Sequence, residues 1–589
     1  MEKYQDIFQF VSSQEKNYML PIKVIEDYEW SMMQHVKTTI LYKNSRFLTG
    51  GSDSKPFKNI IRPILNLQYR TEGFDVRDIE LYVNDRRYFY KSFLIKKFHE
   101  KWARENDIDT FIDKMIESYI DFGGALIKKT NQIKPEVVPL QSIAFCDQTD
   151  ILSGPIGIKH YFSPSELRSM ADKGWENIEE AITLSQNIKK SSYGLEENRT
   201  PGKYIEIYEI HGDLPSSYLG DNEQDEEYTS QMHIICYVKN NSGKGQGITL
   251  FSTREPKSPF KLVLRDEIYG RGLGFGGAEE LFEPQVWVNY DMIRVKELLD
   301  GAAKTILQTT DSAFANRNKL SDMENLEIAV VEDGKQISQI PTASPVNIRL
   351  FENSVMQWEA HAQQMGAAND AIMGESPKSG TPFRLQELVT TESKGLHEYR
   401  KGKLATFLDE IYRDWIIPSL VKEVNKGQEF LVDLDTSEFK YITEQIAENK
   451  SNKQRNEEVL RGMLPSDKET LKKEIQDEMA KAGKRRFFQI LKDELKNSAI
   501  DIKIDIAGKQ KNLALMVDKM SNIFRTIAQN PQILANPQLL NLFNQIIEAS
   551  GFSPVEFLNQ ESQVAPIPEQ PQPQSQPQPQ LENLSTLNQ

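Results

Sequence analysis

The sequence predicts a mainly α-helical chain whose N-terminal half is α+β. Three observations carry that reading. Two long segments space their apolar residues alternately by four and by three, which sets them on one narrow stripe of a helix. Several short runs between residues 125 and 239 alternate or cluster apolar residues between prolines and polar breaks, as strands do. Residues 561–589, centred on Gln570-Pro-Gln-Pro-Gln-Ser-Gln-Pro-Gln-Pro-Gln580, carry too little apolar surface to enter a core and are expected to be disordered.

Residues 1–50 read as helices rich in aromatic residues and Met, ending at Gly50-Gly51-Ser-Asp-Ser. A helix follows over 57–72, with Ile60, Ile61, Ile64, Leu65 and Leu67, and then charged helices to Tyr119. Residues 125–145 read as short strands broken by Pro135 and Pro139. Ser163-Pro-Ser-Glu166 is a helix start, with Ser163 as cap, Pro164 in the first turn and Glu166 closing a capping box. Residues 185–200 read as a polar loop, and strands are expected at 204–211 and 232–239 around an acidic loop at 221–227.

The first long helix is expected over 280–309, about 45 Å at 1.5 Å per residue. Its stripe is Val288, Met292, Val295, Leu299, Ala302 and Ile306. The second is expected over 351–373, with Phe351, Val355, Trp358, Ala362, Met365 and Ile372 on its stripe. Between them lies a short β-rich insert. After the loop Gly374-Glu-Ser-Pro-Lys-Ser-Gly-Thr-Pro382, a third long helix opens at Thr381-Pro382 and runs to Trp415, before Pro418. Gly395 and Gly402 inside it suggest a bend or a close crossing. The C-terminal third reads as helical, with one alternating strand at 500–506 and helix starts at Asn530-Pro531 and Asn536-Pro537. Paired long helices of this kind suit assembly and mechanics better than an enclosed cleft.

Composition sets limits. No run of about 18 apolar residues predicts a membrane-spanning helix, and the N-terminus lacks the layout of a signal peptide. Cys146 and Cys236 alone supply neither a disulfide framework nor a zinc site, so a reducing compartment is expected. Lys and Arg total 71 against 86 Asp and Glu, a net charge of −15. That balance disfavours tight, sequence-independent duplex binding and suits a surface past which a polyanion slides.

The motifs point away from catalysis. Gly272-Leu-Gly-Phe-Gly-Gly277 satisfies G-x-G-x-x-G, but Asp291 and Asp300 fall inside the long helix and no second strand follows. Gly272, Gly274 and Gly277 are therefore read as a flexible hinge into that helix. Lys378 lies in a loop without the G-K-[ST] ending of a phosphate-binding loop, and no G-K-[ST] occurs elsewhere. The seven histidines are scattered and form no H-E-x-x-H, so no metal, cofactor or nucleophilic chemistry is expected. Lys481-Ala-Gly-Lys-Arg-Arg486 reads as a charged face beside Phe487 and Phe488.

The order of parts resembles the portal proteins of tailed bacteriophages, especially those of crAss-like phages. The resemblance rests on the run from Asp266 to Leu281 leading into the helix that contains Asn289, then the β-rich insert, the second helix, the Gly374–Phe383 loop and the late strand–helix–Asn-Pro pattern. It implies a wing (1–280), a first stem helix (281–310), a clip (311–350), a second stem helix (351–373), a tunnel loop (374–382), the long wing helix (383–430) and a crown (431–560). It further implies a ring of about twelve subunits at one capsid vertex, closed by heterologous contacts. Its expected partners are the major capsid protein, the terminase packaging motor, a head–tail adaptor and, transiently and without sequence preference, double-stranded DNA. Lys378, Ser379 and Arg384 would face that DNA. The stem would pack through Val288, Met292, Val295, Leu299, Ile306, Val355, Trp358 and Met365, with Gly395 and Gly402 in the bent wing helix. The location would be the virion, with the host cytoplasm during assembly. The rivals are another oligomeric virion connector or a glycine-loop nucleotide enzyme.

Overall fold

The computed structural model describes residues 6–48, 55–83, 89–130, 134–191, 204–220, 227–239, 245–303, 306–308, 338–340, 345–368, 383–425, 431–433, 436–481, 487–489, 500–504 and 525. The side chains of 82–94, 186–191, 306–307, 339–340, 383–394, 423–425, 431–442, 478–489 and 500–504 lie outside that description, as do a few single ones. Two compact units form: Met1–Arg87 with Ile95–Gln428 and Lys492–Lys511, and Tyr88–Leu94 with Glu429–Leu491 and Asn512–Gln589. The described part is mainly helical with several small antiparallel sheets, an α+β composition.

The first unit begins with α1 (Ile7–Met19), capped by the Asp6 carboxylate accepting from Gln9 N at 2.7 Å. A hairpin of β1 (Ile22–Ile25) and β2 (Tyr28–Trp30) interrupts what the sequence suggests is all helix. Then come α2 (Met32–Lys43), α3 (Ile61–Glu72), β3 (Ile79–Val83), α4 (Phe89–Glu105, whose first turns fall in the other unit) and α5 (Ile108–Phe122). Strands β4 (Gly124–Lys128), β5 (Glu136–Val137) and β6 (Ile143–Phe145) occupy the stretch expected to be broken by Pro135 and Pro139. After β7 (Ile156–Phe162), α6 (Pro164–Ser169) starts with the capping box anticipated at Ser163 and Glu166. The segment expected as a polar loop instead begins as the end of α7 (Ile178–Ser191).

β8 (Ile205–Pro215), β9 (Tyr228–Lys239) and β10 (Gly245–Arg254) complete an antiparallel meander in the order β10-β9-β8-β7-β6. This sheet carries a core on each face. Tyr208 and Ile210 pack with Ile7, Phe10 and Val11 of α1, while Ile205 and Ile207 pack with Leu167 of α6 and Ala181 and Ile182 of α7. Burial on both faces leaves β8 covered along most of its length, so that even Glu209 and His211 within it are buried. β11 (Phe260–Leu264) joins β4 and β5 in a second, three-stranded sheet, pairing antiparallel to β4.

Next come α8 (Gly277–Glu280), α9 (Phe282–Ala302), β12 (Ile306–Gln308), β13 (Ser338–Ile340), α10 (Pro345–Met365) and α11 (Phe383–Ile411). A π-helical turn, Tyr412–Ile416, carries α11 into α12 (Ile417–Asn425), so the helix passes Pro418 instead of ending before it. The wide turn sits just where a proline ring crowds the preceding turn. In the second unit β14 (Leu431–Asp433) pairs with a later strand, β15 (Phe487–Gln489). Between them α13 (Thr436–Leu460) and α14 (Lys468–Lys481) form a hairpin tied by Lys468–Glu448 at 3.0 Å and Lys472–Glu444 at 3.1 Å.

The alternating run near residue 500 forms β16 (Ile500–Ile504) and pairs antiparallel with β3. It therefore belongs to the first unit, not to a crown spanning 431–560. An isolated alternating strand needs a sheet edge, and β3 supplies one. The Asn-Pro helix starts and the Gln/Pro tail lie outside the described residues.

Candidate functional site

The helices α9 and α10 run side by side and antiparallel. Leu281 lies near Gly366 at one end, and at the other Ile306–Gln308 pairs with Ser338–Ile340. Each helix differs from its expected span. α9 stops at Ala302, one residue after Gly301, so Ile306 lies on a strand and not on the helical stripe. α10 starts at Pro345, so the last six residues of the expected β-rich insert are helix, and it stops at Met365. Ile372 lies outside the described residues.

Along the interface Val288, Val295, Val355 and Ala362 are buried, and Met292, Trp358 and Met365 are partly so. Leu299 is 50% exposed, so the stripe leaves the interior after Val295. Trp287, one position off the stripe and absent from the expected contacts, stacks on Trp358 with centroids 6.1 Å apart and planes 11° from parallel.

Polar residues fix the base of the pair. The Oε1 of Gln285 accepts from Ile60 N (2.8 Å) and Ile61 N (3.3 Å), and its Nε2 donates to Lys58 O (2.7 Å). Asn289 Oδ1 accepts from Lys58 N at 3.1 Å. At the start of α3 Ile60 offers no capping side chain; Asn59 Oδ1 accepts from Arg62 N at 2.9 Å, and α9 satisfies the N–H groups of Ile60 and Ile61. Gln285 and Asn289 are both buried, and losing Gln285 would strand the buried Ile60 and Ile61 donors.

At the other end of α10 the chain turns through Ala367, at φ +51°, a left-handed conformation that favours glycine. Ala367 N donates to Gln364 O (3.2 Å) and Ala368 N to Gln363 O (2.8 Å), a Schellman closure with alanine in the glycine position. The Ala367 carbonyl accepts from His397 Nε2 at 3.2 Å, and His397 Nδ1 donates to Glu72 Oε1 at 2.9 Å. Arg265, fully buried, donates to the same Glu72 oxygen at 3.0 Å. Arg400 donates to Asp266 at 2.8 Å and lies 3.6 Å from Glu280. Tyr119 donates to the Arg400 carbonyl at 3.0 Å, and Lys403 to the Arg265 carbonyl at 2.8 Å.

Six segments thus meet at one buried ionic cluster: α3, α5, the end of β11, α8, the end of α10, and α11. Burial pushes the Glu72 carboxyl up, but His397, Arg265 and Arg400 outweigh it and hold it below its usual value. Burial wins at Glu280, whose carboxyl is raised despite Arg400 and Arg265. None of these residues stood out in the sequence.

The glycine run beside the cluster is a packed knot and not a hinge. A Cβ on Gly274 would meet Asp266 O at 2.6 Å and Gly123 O at 2.7 Å, and one on Gly272 would meet Ile151 Cγ1 at 2.9 Å. One on Gly277 would press on the Gln68 side chain. Arg271 closes the knot from inside, donating to Leu273 O (2.8 Å), Gly274 O (2.7 Å) and Glu279 (2.6 Å), with its guanidinium 4.9 Å from the Trp30 ring centre. A dinucleotide fingerprint needs a parallel βαβ unit. Here β11 is antiparallel to β4, and Gly277 opens a four-residue helix.

Gly395 and Gly402 are no close crossing either: α11 continues through both, and a Cβ on either would meet nothing within 4 Å. Lys378 and Ser379 lie outside the described residues, and Arg384 is in the first turn of α11 with its side chain outside the description. Burial pushes the Cys236 thiol up to about 12 and the Cys146 thiol up as well, which makes both poor nucleophiles. Among the described residues no group of three or more His, Cys, Asp or Glu could hold a metal, and no helix is long and apolar enough to cross a membrane.

No family model matches the chain, and no curated protein matches it. Among solved structures it is similar to a chain in the neck of an empty gene transfer agent particle, with 9% identity, 77% of this chain and 100% of that one covered, and a TM-score of 0.32. It is also similar to a chain in the virion of the native gene transfer agent particle, with 8% identity, 92% and 99% covered, and a TM-score of 0.34. Overlays this loose do not establish a common fold.

Proposed function

We propose that the chain is a structural protein of the head–tail region of a phage-type particle, and more narrowly a portal: a ring of about twelve subunits at one capsid vertex. The observation that carries this reading is the α9–α10 pair. It is a long antiparallel helical stalk tipped by the β12–β13 ladder and rooted in a buried ionic cluster. Its far half exposes Leu299, Val346 and Leu350. Apolar residues left outside on a stalk suit contact with neighbouring copies in a closed ring.

The role is passive. The ring would be a conduit for genome packaging and ejection, docking the terminase motor first and the tail adaptor later, and seated in the major capsid protein. The net charge of −15 supports a channel that does not trap DNA, with Lys378, Ser379 and Arg384 making transient phosphate contacts. The reading assigns the chain no cofactor and no catalysis, and locates it in the virion after assembly in the host cytoplasm.

Electron microscopy and mass photometry of the purified protein test it together. The expected result is rings with a central channel and a mass near twelve times the 67.7 kDa subunit. A monomer or dimer that persists at high concentration would overturn it.

A further inference from the structure

The three-stranded and five-stranded sheets are joined by the short connector from Glu255 to Pro259, which runs from β10 into β11. A buried charged cluster sits beside it. His211 on β8 presents Nε2 to Glu209 Oε1 at 3.1 Å and Nδ1 to Glu255 Oε2 at 2.8 Å. Glu209 also receives Lys128 from β4, and His160 from β7 at 2.8 Å. From β11 the Phe260 ring meets the His211 ring edge-on at 5.1 Å and brings no charge. From β9 the neighbouring His233 turns to Gln231 Oε1 at 2.7 Å.

Both ring nitrogens of His211 therefore face carboxylates. The Nδ1–Glu255 contact has hydrogen-bond geometry and the Nε2–Glu209 contact is one of proximity, so an imidazolium sets its charge between the two carboxylates. A neutral ring carries one hydrogen and must turn a lone pair toward one of the two carboxylates. Glu209 keeps Lys128 in either state, and it lies within a central strand. Glu255 lies on the connector and is the more exposed of the two, so it is the partner that can leave.

We propose that His211 and Glu255 form a proton-controlled clasp that holds the β10–β11 connector against the five-stranded sheet and releases it as pH rises. The backbone bond from Glu255 N to Ser230 O, at 2.8 Å, does not titrate and remains. The proton leaves to solvent, and no other group is consumed. Burial alone would lower the His211 pKa, but the Glu209 and Glu255 carboxylates outweigh it and raise it above its ordinary value. With the folded value raised, the stabilisation is complete below the unfolded value and is lost as pH climbs through the folded one. The clasp is independent of the proposed particle role.

Arg254 and Lys257 flank Glu255 and are exposed, which makes tryptic cleavage of the whole protein a direct readout. Cutting after Lys257 is followed by mass spectrometry at about pH 6.5 and about pH 9, relative to a free peptide of the same sequence. In the wild type the relative rate should rise by about tenfold between them, as the clasp opens locally. In Glu255→Gln and His211→Gln it should be high already at the lower pH and change little. A wild-type rate that tracks the free peptide would overturn the proposal, as would an unchanged wild-type response in Glu255→Gln. The Glu255 variant sits at the rim of the cluster, so it decides the matter even where His211→Gln fails to fold.

Discussion

The two halves of the helical stalk are held in opposite ways. Toward its base Val288 and Ala362 are buried, with Val295 and Val355 carrying the buried stripe to about mid-length, and Gln285 and Asn289 are bonded to the backbone of another element. Toward the tip the stripe surfaces at Leu299, and the described ion pairs are exposed ones, Arg294–Glu297 and Lys296–Asp300. Exposed pairs of that kind contribute little. The base is thus specified within the subunit, whereas the tip carries apolar residues that lie exposed.

The largest effect expected from breaking that contrast is at Glu72. Replacing it with Ala leaves buried Arg265 with only the more distant Glu280, at 3.6 Å, and removes the anchor of His397, costing about 3–5 kcal/mol in urea unfolding. The wild-type cluster should also weaken in acid. A depressed folded pKa contributes stability above the unfolded carboxylate value and loses it as pH falls through the folded one, so the Glu72→Ala penalty should shrink at low pH. Gly274→Ala comes next, at about 1–3 kcal/mol, because the methyl meets backbone carbonyls that cannot give way.

Gly395→Ala reverses the sign. With open space around its Cβ and a helical backbone, it should raise stability by about 0.5–1 kcal/mol, seen as a higher thermal midpoint. The smallest effect on the isolated subunit is Leu299→Ala, within about 0.5 kcal/mol. In mass photometry, however, it should shift the population toward smaller species. Equal assembly by this variant and wild type would show that the tip is not buried by neighbours.

The stalk was legible because its stripes are local: four-and-three spacing reports a helix whatever the rest of the chain does. Its ends were not. Ile306 continues the spacing of α9, yet belongs to a strand whose partner lies at Ile340, a pairing no local pattern reveals. The ionic cluster was illegible for a related reason. Glu72, Arg265, Glu280 and Arg400 are ordinary charges in sequence and become informative only when distant segments bury them together. One signal was available. Gln285 and Asn289 flank Val288 on the packed face of α9, and polar residues on an apolar stripe ask for partners. The glycine run misled because glycine serves both freedom and close approach. Only the facing carbonyls of Gly123 and Asp266 distinguish the two.

The ladder between Ile79–Val83 and Ile500–Ile504 sets a timetable for biosynthesis. At about 5–20 residues per second, the ribosome delivers the second strand roughly 20–85 s after the first. Through that interval Ile79–Val83 waits without this neighbour, and an unpaired edge invites the same edge on another nascent chain. Chains cut short before residue 500 keep that edge open for good, so premature termination should yield aggregates instead of a smaller soluble protein.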